Sequence, residues 1–364
     1  MKTGSDGARA SAMRLNPYTD SVMRVWLTEY VPAHVAVLYG KIEETAAAMA
    51  VAEMKIPDWK LPGVFPEDNR AFVIHNFWLN TVNFAFSHFG GKYNKYQLPG
   101  SPMFVGAFAC AAAFMRGFKQ IADRASDESD GEATVAQMYD ITLSLKKTKR
   151  FFRGENGIPM AGERRKNIEV AVGALLQKYG GEPRNILEEA DWYAYEHDGG
   201  KPGITDLLVR DFGSVFDDRE TLVLDSGVTR ELLFMKRAQL LPLMMHGRAL
   251  GSRGELPAIR DIAKIGPVAD YSVPNALRHL GILEYSSELR YAVDNRFEIA
   301  AHSKAEIEIR MSTVAAMAEL LAETNALREK AGKPPITMAE LDYKIWSLGR
   351  KAKYLHHLTR TTAY

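Results

Sequence analysis

Apolar residues recur at three- and four-residue spacing in Ser21 to Tyr30, Ala33 to Glu53, Asn69 to Phe89, Pro102 to Ile121, Ala161 to Tyr179, Thr229 to Met245, Ser303 to Lys330 and Thr337 to Leu355. That period predicts helices, each with an apolar stripe turned to a core. No comparable set of alternating strands appears; one short strand pair is expected in Glu220 to Val228, where Asp225-Ser226-Gly227 offers a turn. Ser303 with Glu306 and Thr337 with Glu340 fit capping boxes, and Gly180-Gly181 and Gly281 stand where a helix end wants a residue of positive φ. The pattern therefore predicts a mostly α fold with at most a small β element.

The acidic stretch Arg124 to Thr134, with Ser and Gly, reads as a surface loop. No repeat or low-complexity segment interrupts the rest. A single large helical domain over residues 16–364, behind a flexible Met1 to Leu15, is the simplest account, and a boundary near residue 220 stays open.

Composition narrows the function classes. With 46% hydrophobic and 25% charged residues, the chain has material for a sizeable core and an ordinary globular surface. Lys+Arg 46 against Asp+Glu 45 leaves a net charge of +1, so no global field would hold a nucleic-acid polymer. Met1 to Leu15 lacks an apolar signal region and no run approaches bilayer-spanning length, which makes a cytoplasmic location the default and a membrane partner unexpected. The one cysteine, Cys110, lies in the apolar run Phe108 to Phe114 and reads as a small buried hydrophobe, with no disulfide possible inside the chain. The nine histidines form no metal-ligand spacing, since His356 and His357 are adjacent and diverge on a helix. Glycine-rich phosphate loops and a nucleophile elbow are missing too, so neither metal nor cofactor is expected.

Three features offer chemistry. Asn76, Asn80, Asn83 and Ser87 fall at intervals of four, three and four, forming a polar stripe on a segment otherwise rich in Phe and Trp. Such a stripe either bonds neighbouring backbone in the core or lines a ligand pocket. Lys236, with Leu232, Leu233 and Leu240 on its expected helical face, is either a snorkelling lysine or the partner of a carboxylate at a site. Asp270 precedes an expected helix, Ser272 to Leu280, whose Pro274 suits only the first turn. It is either a cap or an active-site carboxylate, with the positive helix end expected to lower its pKa and keep it ionised.

Asp261 to Pro267 reads as helix and tight turn, followed by Ala269-Asp270-Tyr271 and a helix ending Arg278-His279-Leu280-Gly281. That order resembles helix-hairpin-helix DNA glycosylases. Lys236-Arg237-Ala238-Gln239, Ala269-Asp270-Tyr271 with Pro274 and His279-Leu280-Gly281, and Glu306-Ile307-Glu308-Ile309-Arg310 resemble the queuosine salvage proteins. So do Leu341-Asp342-Tyr343 with Trp346, and His357 with Arg360 and Tyr364. The blocks stand in the family's order over roughly residues 160–364; upstream, Asn83-Phe84-Ala85-Phe86 and Pro159-Met160 with Glu163-Arg164 are weaker versions of family motifs.

The resemblance implies a glycosylase-like helical fold and hydrolysis of queuosine 5′-monophosphate to queuine and ribose 5-phosphate, without a metal. It implies that Asp270 and Lys236 are the active-site aspartate and lysine. A fixed carboxylate beside C1′ would stabilise the oxocarbenium-like sugar left as the base departs, and would orient the attacking water. Lys236 would hold that carboxylate ionised, contact the ribose or protonate the leaving group. Asn83, Phe84 and Phe86 are candidates for the base pocket, Tyr271 for packing on sugar or base, and Arg237, Arg310, His357 and Arg360 for the 5′-phosphate. Where the family pattern runs Asp-x-x-Asn-Phe-x-Phe-Trp, this chain has Asn80 at the start and Ser87 at the end, a departure bearing on which 7-deazapurine is accepted. Two readings compete: a non-catalytic binder of a 7-deazapurine nucleotide, and a helix-hairpin-helix protein acting on nucleic acid.

Overall fold

The computed structural model describes residues 16–90, 94–100, 104–118 and 130–364. The expectations for Met1 to Leu15, for residues 124–129 and for both ends of the Pro102 to Ile121 helix lie outside them. The described residues are mostly helical, and no helix among them is long and apolar enough to cross a membrane.

Backbone contacts divide the chain into two compact units. Among the described residues, the first holds 16–56 with Asp218–Lys236 and Ile262–Arg360; the second holds those between Pro57 and Asp217, with Arg237–Asp261 and Thr361–Tyr364.

The first unit is built around the long helix Lys304–Lys330. Ile309, Ala316, Met317 and Leu320 pack with Ile42, Ala46 and Met49 in one cluster. Ile307, Met311, Val314 and Ala315 pack with Val22, Leu222, Leu232 and Phe234 in another. A helix buried on opposite sides has no solvent face over those turns, which is why its apolar residues form no single stripe. Two antiparallel strand pairs complete the unit: Val35–Val37 with Leu283–Tyr285, and the hairpin Arg219–Val223 with Thr229–Leu233. In the second unit, Phe77 packs on Phe212 at 5.4 Å, and Phe114 on Phe151 and Phe152 at 5.3 and 5.5 Å. Cys110 is fully buried there, its thiol pushed up to about 12 by burial.

Several expected boundaries move. Ala33 to Glu53 begins as the strand Val35–Val37 and turns helical over Tyr39–Val51, because Val35 to Val37 find a partner strand far along the chain. The helix from Asn69 ends at Thr81, so Asn83 and Ser87 lie beyond it and the four-residue polar stripe does not exist as one helical face. Thr229 to Leu233 is a strand, and the helix that follows is Lys236–Leu250. Leu232 and Leu233 therefore do not share a helical face with Lys236. Asp130 to Thr134, expected in a loop, starts the helix Asp130–Thr142. Pro242 sits inside Lys236–Leu250, where it cannot donate to the carbonyl of Ala238; that oxygen instead accepts from Thr205 Oγ1 at 3.5 Å.

The termini follow the sequence more closely. The capping box at Thr337 and Glu340 is complete, and Gly180 and Gly281 have φ of 60° and 75°. At Ser303 the side chain accepts from the Glu306 N–H at 3.3 Å, while the Glu306 carboxylate faces Arg310 at 3.9 Å.

Candidate active site around Asp270

Asp270 precedes the helix Ser272–His279 and caps it: Oδ1 accepts from the Ser272 and Val273 N–H groups at 2.6 and 3.0 Å. Oδ2 accepts from the Trp346 indole at 3.1 Å. A carboxylate has about four acceptor sites, so three bonds leave it capacity for a ligand. The residue also keeps a partly exposed edge. Cap and site carboxylate are thus compatible readings of one side chain.

The expected lowering of its pKa is reversed. Burial pushes the Asp270 carboxyl above the ordinary carboxylate range, and this desolvation outweighs the charge of Lys236, the two N–H groups and the indole, which all pull it back. Lys236, the first residue of its helix, is 3% exposed, which excludes snorkelling. Of the influences favouring ionised Asp270, its charge is the strongest.

The helix Met338–Gly349 grips the Asp270 segment with residues one turn apart. Asp342 accepts from the Val268 N–H at 2.9 Å, and Trp346 donates to Asp270. Gly349 ends this helix against the Ser272 carbonyl, where any Cβ would collide. Burial first, and the Asp270 charge second, push the Asp342 carboxyl up to about 8, with Lys236 and the Val268 N–H opposing. The first unit therefore brings two carboxyl groups within electrostatic reach of one buried ammonium. Tyr271 stacks on His356 with centroids 4.2 Å apart.

The phosphate candidates differ in setting. Arg310 is buried, donating to Asp218 at 2.6 Å, with Glu220 at 3.7 Å, Glu306 at 3.9 Å and the Phe234 ring 3.9 Å from its guanidinium. His357 is buried and pushed down to about 3 by burial and the Arg310 charge, so it is a neutral imidazole. Arg360 is exposed and pairs with Glu298 at 3.0 Å.

In the second unit, Arg237 is buried and caps the end of Asn69–Thr81, donating to the Thr81 carbonyl at 2.8 Å and the Asn80 carbonyl at 3.3 Å. Its guanidinium lies 5.3 Å from the Phe84 ring, and that of Arg164 lies 4.4 Å from it. Arg164 also donates to the Phe84 and Pro159 carbonyls and lies 5.3 Å from the Phe86 ring. Asn83, Phe84 and Phe86 are all buried. Asn80 donates to the carbonyl and side-chain oxygens of Asn76 at 2.9 and 2.8 Å.

Sequence reasoning gave Asp342, Trp346 and Arg164 no role, although each stood in a noted motif. Asp218 left no signal: its partners are Phe234, Met235 and Lys236, just after the hairpin, and Arg310 in a distant helix.

The model of the queuosine salvage protein family matches residues 64–364. This chain belongs to that family. It is similar to the queuosine 5′-phosphate N-glycosylase/hydrolase of Sphaerobacter thermophilus, 26% identical over 89% of this chain and 91% of the relative. The protein of the same name from Mus musculus is 26% identical over 83% of this chain and 84% of its own length. That of Dictyostelium discoideum is 33% identical over a shorter stretch, 37% of this chain and 41% of the relative. The family thus covers the whole Asp270 arrangement.

Proposed function

We propose that this chain hydrolyses the N-glycosidic bond of queuosine 5′-phosphate, releasing queuine and ribose 5-phosphate. The shared name of its relatives supports the substrate. The observation that carries the mechanism is the Asp270 carboxylate, fixed by two N–H groups and an indole and favoured in its ionised form by Lys236.

As the C1′–N bond breaks, its electrons leave with the base and positive charge develops on the sugar. An anion already fixed beside C1′ stabilises that charge without reorganising. Water then adds its oxygen to C1′ and gives up one proton to the carboxylate or solvent, while the departing base nitrogen takes up one proton from solvent, so that one water is consumed and no net proton is gained or lost. Lys236 opposes the burial that would neutralise Asp270. Tyr271, braced on His356, offers a ring face beside this carboxylate. Among the four phosphate candidates, Arg360 presents its guanidinium on the surface, which favours it for a mobile polar group. The single 3-10 turn Ile262–Lys264, in place of the expected helix and tight turn, and the helix that Asp270 caps support reading this segment as the counterpart of the hairpin and helix of DNA glycosylases.

The test is incubation of purified protein with queuosine 5′-phosphate and, separately, its nucleoside, following free base by chromatography. Queuine release from the phosphate is expected; binding with no release would favour a ligand-binding relative instead.

A further inference from the structure

We propose that Asp218 and Arg310 are positioning residues for Lys236: their buried pair secures the turn at Met235 that sets Lys236 at the start of its helix. The proposal rests on the hydrolase reading, in which Lys236 acts on Asp270.

The connection from the strand Thr229–Leu233 to the helix Lys236–Leu250 is only Phe234 and Met235. Met235 has φ 49°, a left-handed conformation that a side chain with a Cβ adopts only where its surroundings hold it. Asp218 supplies that hold. Its main-chain oxygen accepts from the Phe234 and Met235 N–H groups at 3.0 and 3.1 Å, and its own N–H lies 3.3 Å from the Met235 sulfur. Its side-chain Oδ2 accepts from the Lys236 N–H at 3.1 Å. One residue therefore grips all three positions of the turn and the helix start.

Arg310 fixes that residue in turn. It donates to the same Oδ2 at 2.6 Å, and its guanidinium lies 3.9 Å from the Phe234 ring, so it touches both the gripping residue and the turn being gripped. Glu220 and Glu306, at 3.7 and 3.9 Å, oppose its rotation away, and His302 holds Glu220 at 2.8 Å. A helix advances by about 100° per residue, so a slip of one position at this start would swing the Lys236 ammonium away from Asp270. This assignment replaces the phosphate role expected for Arg310.

The experiment compares Asp218→Ala, Asp218→Asn and Arg310→Lys by steady-state kinetics on the phosphorylated and unphosphorylated substrates. Asp218→Ala and Arg310→Lys are expected to lower kcat by about 10-fold or more, equally on both substrates, since small misplacements of a catalytic group act on rate. KM should stay within about two-fold. Asp218→Asn, which still accepts from the Lys236 N–H, should recover much of the loss. A KM increase confined to the phosphorylated substrate in Arg310→Lys would overturn the proposal and make Arg310 a phosphate ligand. A second readout needs no turnover: Lys236, carrying ¹³C-methyl groups and assigned with Lys236→Arg, is followed by NMR. Its signal should move when Asp270→Asn is introduced into the otherwise unchanged protein, and not when the same change is made with Arg310→Lys. An equal movement in both backgrounds would overturn the positioning role, whereas absence of base release from the unchanged protein would overturn only the hydrolase reading.

Discussion

Asp218 and Asp270 belong to the same unit and both accept backbone N–H groups, but Asp218 is buried against Arg310 at 2.6 Å whereas Asp270 keeps a partly exposed edge. Asp218 is a lock: its main-chain oxygen, its N–H and its side-chain Oδ2 all engage one turn, and its Oδ1 is buried without a hydrogen-bond partner. Asp270 is held as firmly, through the Ser272 and Val273 N–H groups and the Trp346 indole, yet retains acceptor capacity and an opening. A carboxylate becomes available for chemistry when it keeps an opening to a ligand and its cation acts through the field; one buried and paired directly with a guanidinium is fixed in place and closed to a ligand.

Neutralising each carboxylate has the largest expected effect. Asp270→Asn keeps an acceptor oxygen for the cap but no anion, and base release should fall on the order of 10²- to 10³-fold. Its stability at neutral pH should match or exceed that of the unaltered protein. A carboxyl raised in the folded state binds its proton there in preference to the unfolded chain, so its contribution to stability declines as pH rises above the unfolded value. Asp218→Ala should do the reverse in denaturant unfolding, losing about 3 kcal/mol because a buried guanidinium is left short of its nearest partner.

Asp342 is expected to give a smaller effect, with its own pH dependence. With its carboxyl at about 8 when folded and near the ordinary value when unfolded, the folded state holds a proton that the unfolded state has lost between those pH values, and stability falls across that window. Asp342→Asn, still able to accept from Val268, should raise Tm at pH 7 by about 2 °C or more, with the gain shrinking toward pH 4. A gain that grew on acidification would show that Asp342 is ionised in the fold. The smallest effect is expected at Arg360→Ala: a stability change below about 1 kcal/mol, as for an exposed pair, and a KM increase on the phosphate substrate alone. An equal increase on the nucleoside would remove Arg360 from the phosphate site.

What the sequence reveals follows the range of the interactions involved. Thr337 with Glu340 was legible because a cap is completed within four residues. The family resemblance names Asp270 and Lys236 together, and in the structure the Lys236 charge reaches Asp270. The strand Thr229–Leu233 was not, because its paired leucines also fit a helical face and only the partner Arg219–Val223 decides between them. The end of the helix at Thr81 was hidden for a similar reason: the following segment is as aromatic as the helix, and Arg237, far along the chain, caps the last carbonyls. Trp346 and Asp342 reach the Asp270 segment from more than seventy residues away, a contact without local pattern. The sign of the Asp270 shift was missed because a helix end is visible in sequence and desolvation is not.

The central claim, that Lys236 holds Asp270 in its working anionic form, is tested most directly by the pH dependence of kcat/KM for base release in the unaltered protein and in Lys236→Met. The acidic limb of the profile should lie above the ordinary carboxylate pKa and move to still higher pH in the variant, by about one unit or more, with loss of rate at neutral pH. An acidic limb that stays in place in Lys236→Met would contradict the account.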